Sequence, residues 1–429
     1  MRDSASSGKN YKNMNIIKCA GFTFIKLGVR NLFRHYRRSL ITIAMIGSGI
    51  AGLMFLRGFA DGSYSQAIEN FTSIASGHLQ IYRKGFRSTT NVELPIEDVE
   101  ALKKIIRSRP EVKGYSGRIM TQALISTATS AQGIMLVGIS PQEELKVTRI
   151  NQFISAGSFF SENDDKSILV GRQLARNLKA DLGDKVVIFV QAYHGSMEAA
   201  TYRIQGFIET GGKDIDAGAA FITLDAAARL LGYSGGEVSC FALRLTSTKE
   251  AAKTIPGLKP SLERSGYEAV SWDEIGPEMK EWITFFDAII EVIMIVVLLV
   301  VAVGIMNTIF MGVFERTHEF GLMAALGTRR SQLMVVVISE AVILSFLGIC
   351  FGILLGLACI EYFHHIGINL AWYGEIRRQF YLAPRVYPIA SAKFLLKAIV
   401  FLSLDSLLVS IYPAWKAASM EPVEAIRHI

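Results

Sequence analysis

Three carboxylates, Glu291, Glu340 and Asp405, lie in stretches otherwise apolar enough to sit inside a lipid bilayer. An ionisable group placed there is costly, so it marks an ion pathway, a watery cleft or a hydrogen bond between helices. A relay would use a helix interrupted by Gly or Pro beside the charge. The three fall on different segments, at different depths, without such breaks. Interhelical hydrogen bonding or contact with a cleft is therefore the expected role of these intramembrane polar residues. Other chemistry is not visible: there is no GxxxxGK[ST], HExxH or GxSxG, and no paired metal-ligand motif. Seven histidines are dispersed apart from His364 and His365, and the cysteines (19, 240, 350, 359) form no CxxC pair. No catalytic, cofactor-binding or metal residue is expected in the chain.

A second charged group has a different setting. "FERTHEFGLMAALGTRR", residues 314–330, separates the uncharged runs 292–313 and 341–360. It reads as a short helix, with Glu315 and Glu319 early, Gly327 as its stop, and Arg329 and Arg330 just beyond, an order that suits the helix dipole. Phe320, Met323, Ala324 and Gly327 share one stripe flanked by charge, the shape of a helix that docks in a groove of another protein. A solvated connector with ordinary caps would use the same residues.

The elements that must position these residues are membrane helices. The chain of 429 residues is 51% hydrophobic and 19% charged, which excludes an ordinary soluble enzyme. Of its net charge of +7, residues 1–38 carry nine Lys/Arg against one Asp, whereas residues 61–280 sum to −1. No basic surface is left for nucleic acid. Crossings are expected at 39–60, 288–313, 333–362 and 394–412, the last interrupted by Lys397 and Asp405. The long leader before the first makes it an uncleaved anchor rather than a signal peptide. Arg30, Arg34, Arg37 and Arg38 place the N-terminus in the cytoplasm, although Arg377, Arg378, Arg385 and Lys393 in the second outer loop pull the other way.

The resulting order is a cytoplasmic amphipathic segment (1–38) lying on membrane lipid, a first crossing (39–60), an extracytoplasmic domain (61–287), a second crossing (288–313) and the short cytoplasmic helix (314–332). A third crossing (333–362), an outer loop (363–393), a fourth crossing (394–412) and a cytoplasmic tail (413–429) complete it. The 61–287 region mixes a helix at 96–108 and helices at 170–180 and 224–231 with strands "GHLQIY", "ALISTA", "GIMLVG", "KVVIFVQ", "YRIQGFI" and "CFALRLTS". The fold class is an α-helical membrane protein with four transmembrane helices and a large α+β extracytoplasmic domain. Small residues recur every four positions at Ala44, Ser48 and Gly52 and at Gly348, Gly352 and Gly356. Such stripes serve close packing within one bundle or between subunits, here a dimer.

Two motifs carry a family resemblance. "ERTHEFGLMAALGTRRSQL" is similar to the cytoplasmic segment of FtsX-like permeases of ABC transporters, the group that includes LolC/LolE and MacB, through Arg316, Glu319, Phe320, Gly321, Ala325, Gly327, Arg329 and Arg330. "YPAWKAASMEPVEAIRHI" resembles the closing motif of the family through Pro413, Ala414, Ala417, Pro422, Ala425, Ile426 and Arg427. "VGISP", "GRQLARNLKADLGDKVVI", "GFIETGGKDIDAGAAFITLDAAARLLG" and "SWDEIGPEM" resemble the LolC/LolE branch. The resemblance implies MacB/LolCDE-type architecture in a bacterial inner membrane, with both termini cytoplasmic. It further implies a second permease, identical or paralogous, and a dimer of separate ATPase subunits that bind ATP and Mg. The 315–327 helix would transmit ATPase closure to the periplasmic domain, releasing a lipoprotein toward a periplasmic carrier. MacB-like export of peptides or amphiphiles, and FtsX-like regulation of a cell-wall hydrolase, are the alternatives. The chain has no fused ATPase, and no hairpin for recruiting a lipoprotein chaperone can be picked out.

Overall fold

A computed structural model describes residues 36–89, 94–161, 164–233, 236–374 and 380–420. The amphipathic segment before Tyr36, with Cys19, Arg30 and Arg34, lies outside the described residues. So do Arg377, Arg378, Pro422, Ala425, Ile426 and Arg427. The chain divides into two compact units, one of residues 1–62, 284–368 and 387–429 and one of 63–283 and 369–386.

The first unit is helical. Four helices are long and apolar enough to cross a membrane: α1 (Tyr36–Phe71), α2 (Pro277–Glu315), α4 (Arg330–Ile366) and α5 (Ala392–Ala418), with the short α3 (Thr317–Ala325) between α2 and α4. A bilayer needs roughly 20 residues. The 36 residues of α1 and 39 of α2 give helices of roughly 54 and 58 Å at 1.5 Å per residue. The expected borders at 60/61 and 287/288 thus fall inside helices, because polar residues at 61–71 and 277–287 keep helical backbone after the apolar run ends. The start of α4 at Arg330 rather than 333 has the same cause. Side chains of Ile46, Ile50, Met54, Val301, Ile305, Val337, Ala341, Ile349 and Leu402 form the interior.

The second unit is built on one ten-stranded mixed sheet. Its strands are β1 (Leu79–Arg83), β2 (Val112–Ser126), β3 (Ala131–Ile139), β4 (Ile154–Gly157), β5 (Ser167–Gly171), β6 (Lys185–Gln191), β7 (Met197–Ile208), β8 (Ala219–Thr223), β9 (Cys240–Leu245) and β10 (Tyr267–Ser271). The order is β10-β1-β9-β2-β3-β8-β5-β7-β4, and β6 pairs with β2 and β7. The 15-residue β2 holds the sheet together: its first half pairs with β9, and its second half with β3 and β6. Helices Arg172–Leu178 and Leu224–Leu231 pack on one apolar core with β5, β6 and β8. Val99–Arg107 and Thr248–Arg264 cover another, on β1 and β9.

The loop expected at 363–393 is more than a connector. Residues 369–386 belong to the second unit, where Tyr381 is buried among Phe71, Ile74, Ile215 and Phe221. Asn70 Nδ2 donates to the Tyr381 carbonyl at 2.8 Å, Trp282 stacks on Phe380 with ring centroids 4.7 Å apart, and Gly212 leaves the space that the Tyr381 ring occupies.

Candidate coupling site at one end of the helical unit

The turn from α2 to α3 forms because Arg316 departs from helical geometry, at φ −117° and ψ 19°, while Thr317 Oγ1 donates to the Phe314 carbonyl at 2.9 Å. At the far end of α3, Gly327 stands at φ +90°, a left-handed setting that suits glycine. Its N–H and that of Thr328 close on the carbonyls of Ala324 and Met323, both at 3.0 Å. Arg329 then caps α4, its N–H donating to Gln332 Oε1 at 3.0 Å, and Arg330 opens that helix.

The apolar stripe of α3 faces its own bundle. Phe320 is 2% exposed, Gly321 is buried, and Met323 and Ala324 pack against the same core as Leu333, Ala414, Ala417 and Ala418. The expected ridge of Phe320, Met323, Ala324 and Gly327 is therefore divided: the first three turn toward the bundle core, and Gly327 is exposed. Spacing shows that a stripe exists but not whether it turns inward, and the larger Phe and Met went to the larger apolar environment. The outward surface is instead His318, Leu322, Ala325 and Leu326, with Leu322 51% and Leu326 80% exposed. The two family motifs thus share one core, through Phe320 on one side and Ala414 and Ala417 on the other.

A lattice of charge holds this corner. Arg316, with only 8% of its side chain exposed, places Nε 2.8 Å from Glu319 and Nη1 3.5 Å from Glu340, and its guanidinium lies 5.0 Å from the Phe320 ring centroid. Arg38 of α1 pairs with Glu315 at 2.8 Å. Gly312 separates Arg38 from Glu340: a Cβ there would meet Arg38 Nη2 at 3.0 Å and Glu340 Oε1 at 3.9 Å. One turn deeper Thr42 and Thr308 hydroxyls bond at 2.7 Å. Two ion-paired sets thus meet at this end, Arg38 with Glu315 joining α1 to α2, and Arg316 with Glu319 and Glu340 joining the α2–α3 turn to α4.

The other intramembrane carboxylates lie elsewhere. Glu291 pairs with Lys397, the residue that interrupts the fourth apolar run. Nearby, Arg57 bridges Asp61 at 2.8 Å and Asp287 at 2.6 Å and lies 6.0 Å from the Phe394 ring centroid. Asp405 is half-buried, and its Oδ2 has no hydrogen-bond partner among the described residues. The three carboxylates do not converge. Residue spacing singled out Glu340 and Arg316 separately but missed their pairing, read Arg38 only as part of the basic cluster that orients the chain, and missed Arg57 altogether. Their signal was an arginine at each edge of one apolar run.

The small-residue stripes part company. Gly348, Gly352 and Gly356 are buried against α1, where added Cβ atoms would approach Ile46 at 2.7 Å, Ile50 at 2.7 Å and Met54 Sδ at 3.0 Å. This stripe is intrachain packing and not a subunit interface. It works because bare backbones let α1 and α4 touch. Ala44, Ser48 and Gly52 are exposed, with nothing within 4 Å of a Cβ at Gly52. Ser345 and Ser406 add a buried hydrogen bond of 2.5 Å between α4 and α5.

With this arrangement in view, residues 39–259 match the family described as the MacB-like periplasmic core domain, and residues 291–422 match the FtsX-like permease C-terminal domain. The chain belongs to this family: it is an ABC transporter permease of the LolC/MacB type. Among named relatives, the lipoprotein-releasing system transmembrane protein LolC of Neisseria meningitidis is 21% identical over 95% of this chain and 98% of its own length. The macrolide export ATP-binding/permease protein MacB of Hyphomonas neptunium is 23% identical over 94% of this chain but 60% of its own. The solved periplasmic region of MacB from Actinobacillus actinomycetemcomitans covers 50% of this chain, and 97% of its own, at 14% identity with a TM-score of 0.34.

Proposed function

We propose that this chain is the permease subunit of an ABC transporter that releases lipoproteins from a bacterial inner membrane. Its termini and α3 lie in the cytoplasm and residues 63–283 in the periplasm. A dimer of separate ATPase subunits, holding ATP and Mg, docks on the outward face of α3 formed by Leu322, Ala325 and Leu326. Arg316 and the carboxylates around it hand the movement of α3 to α1, α2 and α4. A second permease, identical or paralogous, packs along the exposed Ala44, Ser48 and Gly52. The cargo leaves on a periplasmic carrier. The observation that carries this reading is the buried Arg316, which makes α3 part of the bundle rather than a loose connector. Similarity to the lipoprotein-releasing protein LolC across 98% of that protein's length supports release.

Export of peptides or amphiphiles already in the periplasm is the second reading, favoured by the match of residues 39–259 to the MacB-like core domain. Co-purification with native neighbours, followed by reconstitution with a fluorescent lipoprotein, separates them. ATP-dependent transfer of the lipoprotein to a soluble carrier is the expected result. ATP hydrolysis without transfer, together with capture of an adaptor and an outer-membrane duct, would favour export. Motion of the periplasmic domain with no transported cargo would leave regulation of a cell-wall hydrolase.

A further inference from the structure

The segment that follows α4 carries a surface not used in the reading above. After Gly367 ends the helix, β11 (Ile368–Asn369) pairs with β12 (Arg385–Val386). Just past β11 the chain makes a braced turn at residues 370–373. Leu370 N–H donates to the Pro384 carbonyl at 2.8 Å, Ala371 N–H to Asn369 Oδ1 at 2.9 Å, and Tyr373 N–H to the Leu370 carbonyl at 3.0 Å. At its tip Trp372 is 77% exposed and Tyr373 44% exposed, with ring centroids 4.1 Å apart. Two large rings held side by side in water by a hydrogen-bonded turn bury little against their own domain. Their amphipathic character suits an environment apolar at one end and wet at the other.

We propose that the Trp372–Tyr373 tip is an interfacial anchor seated in the headgroup layer of the leaflet at which α4 ends. Three observations select a phospholipid surface as the occupant. The tip is tethered: Trp372 lies six positions beyond Ile366, at most roughly 20 Å of extended chain, so the rings cannot leave the neighbourhood of the bilayer. The helix end that tethers the tip is itself apolar at its surface, since Tyr362 and Ile366 on the last turns of α4 are 60% and 50% exposed, and Ile389, ahead of α5, is 41% exposed. Trp and Tyr are the residues that gather at this depth. Exposed Arg385 and Lys393 add positive charge for lipid phosphates. The same chemistry accounts for basic residues on this side of the chain, which otherwise run against the charge rule for loops.

The test uses the full chain in phosphatidylcholine/phosphatidylglycerol vesicles, with and without lipids brominated near the headgroup. Trp372 fluorescence is isolated twice: as the difference between the wild type and Trp372→Phe, and in a chain retaining Trp372 with the other three tryptophans changed to Phe. The expected result is quenching of the Trp372 signal by brominated lipid to about half, with shielding from aqueous iodide. A signal open to iodide and untouched by bromolipid would mean a tip free in water, and the anchor is then wrong. Shielding from both quenchers would place the rings against protein, a second copy or a partner, and overturns it equally. Failure of one variant to insert leaves the other to decide, and neither readout depends on ATPase coupling or on cargo.

Discussion

Replacing Arg316 with Met should test whether the charge lattice ties α3 to α4. The Nη1 to Glu340 distance is 3.5 Å with side chains 8% and 16% exposed. At an effective dielectric near 20 the attraction is about 5 kcal/mol before desolvation is subtracted. Breaking a buried pair from one side costs about 3–5 kcal/mol. Arg38 lines the same pocket across Gly312 and softens the loss, so about 2–3 kcal/mol is expected, on the order of a hundredfold in the unfolding equilibrium. The Glu319 contact, with its carboxylate 45% exposed, should contribute under about 1 kcal/mol. The assay is a double-mutant cycle of Arg316→Met and Glu340→Gln, unfolding the full chain in mixed micelles with SDS. The double mutant should be about 2 kcal/mol more stable than the sum of the singles implies. A coupling energy under about 0.5 kcal/mol would show that the two side chains act independently, and the view of α3 as part of the bundle would fail.

Gly352→Leu should disrupt the α1–α4 contact and lower the stability of the isolated chain by about 2 kcal/mol or more, because Ile50 and the Gly47 backbone fill the space. Gly52→Leu should leave that stability unchanged and weaken dimer crosslinking; equal effects of the two would erase the distinction drawn between the stripes. In the second unit, burial pushes the Glu144 carboxyl up, but Arg118 and the hydrogen bonds from Arg118, Thr148 and Ser116 outweigh it and hold it below the ordinary range. A depressed acid stabilises above its unfolded pKa, about 4.3, and loses that contribution as pH falls further. Glu144→Gln should therefore cost about 3–5 kcal/mol at neutral pH and flatten the acid limb of stability measured against pH; an unchanged limb would contradict the pairing. Gly327→Val should strain the φ +90° backbone by about 1–2 kcal/mol and, on the proposed function, uncouple ATP hydrolysis by the partner ATPase from motion of the second unit while insertion persists, as should Glu319→Lys; wild-type coupling in both would remove the docking role from α3.

Much of the helical unit was legible because length and apolarity alone define a crossing, and the stop at Gly327 followed from the need for a left-handed residue. In the second unit, "KVVIFVQ" announced itself by alternation: Val186, Ile188 and Val190 are buried while Lys185, Phe189 and Gln191 face out. β5 and β8 did not, since "SILVG" and "AAFIT" are covered on both faces and show no period. Pairings across the bundle were hidden for another reason. Arg316 and Glu340, or Glu291 and Lys397, are far apart in sequence, and local spacing carries no information about which helices become neighbours.

The two arginine collars on α1 limit how that helix can move. Arg38, paired with Glu315, and Arg57, held by Asp61 and Asp287, lie 19 positions apart, roughly 28 Å along the axis, close to the thickness of the hydrocarbon layer. A piston stroke of one helical turn would drag one collar into oil, at about 3 kcal/mol for a lone charge. Tilting or swivelling leaves both at the water's edge, so α1 is built to rock in the bilayer and to resist sliding through it.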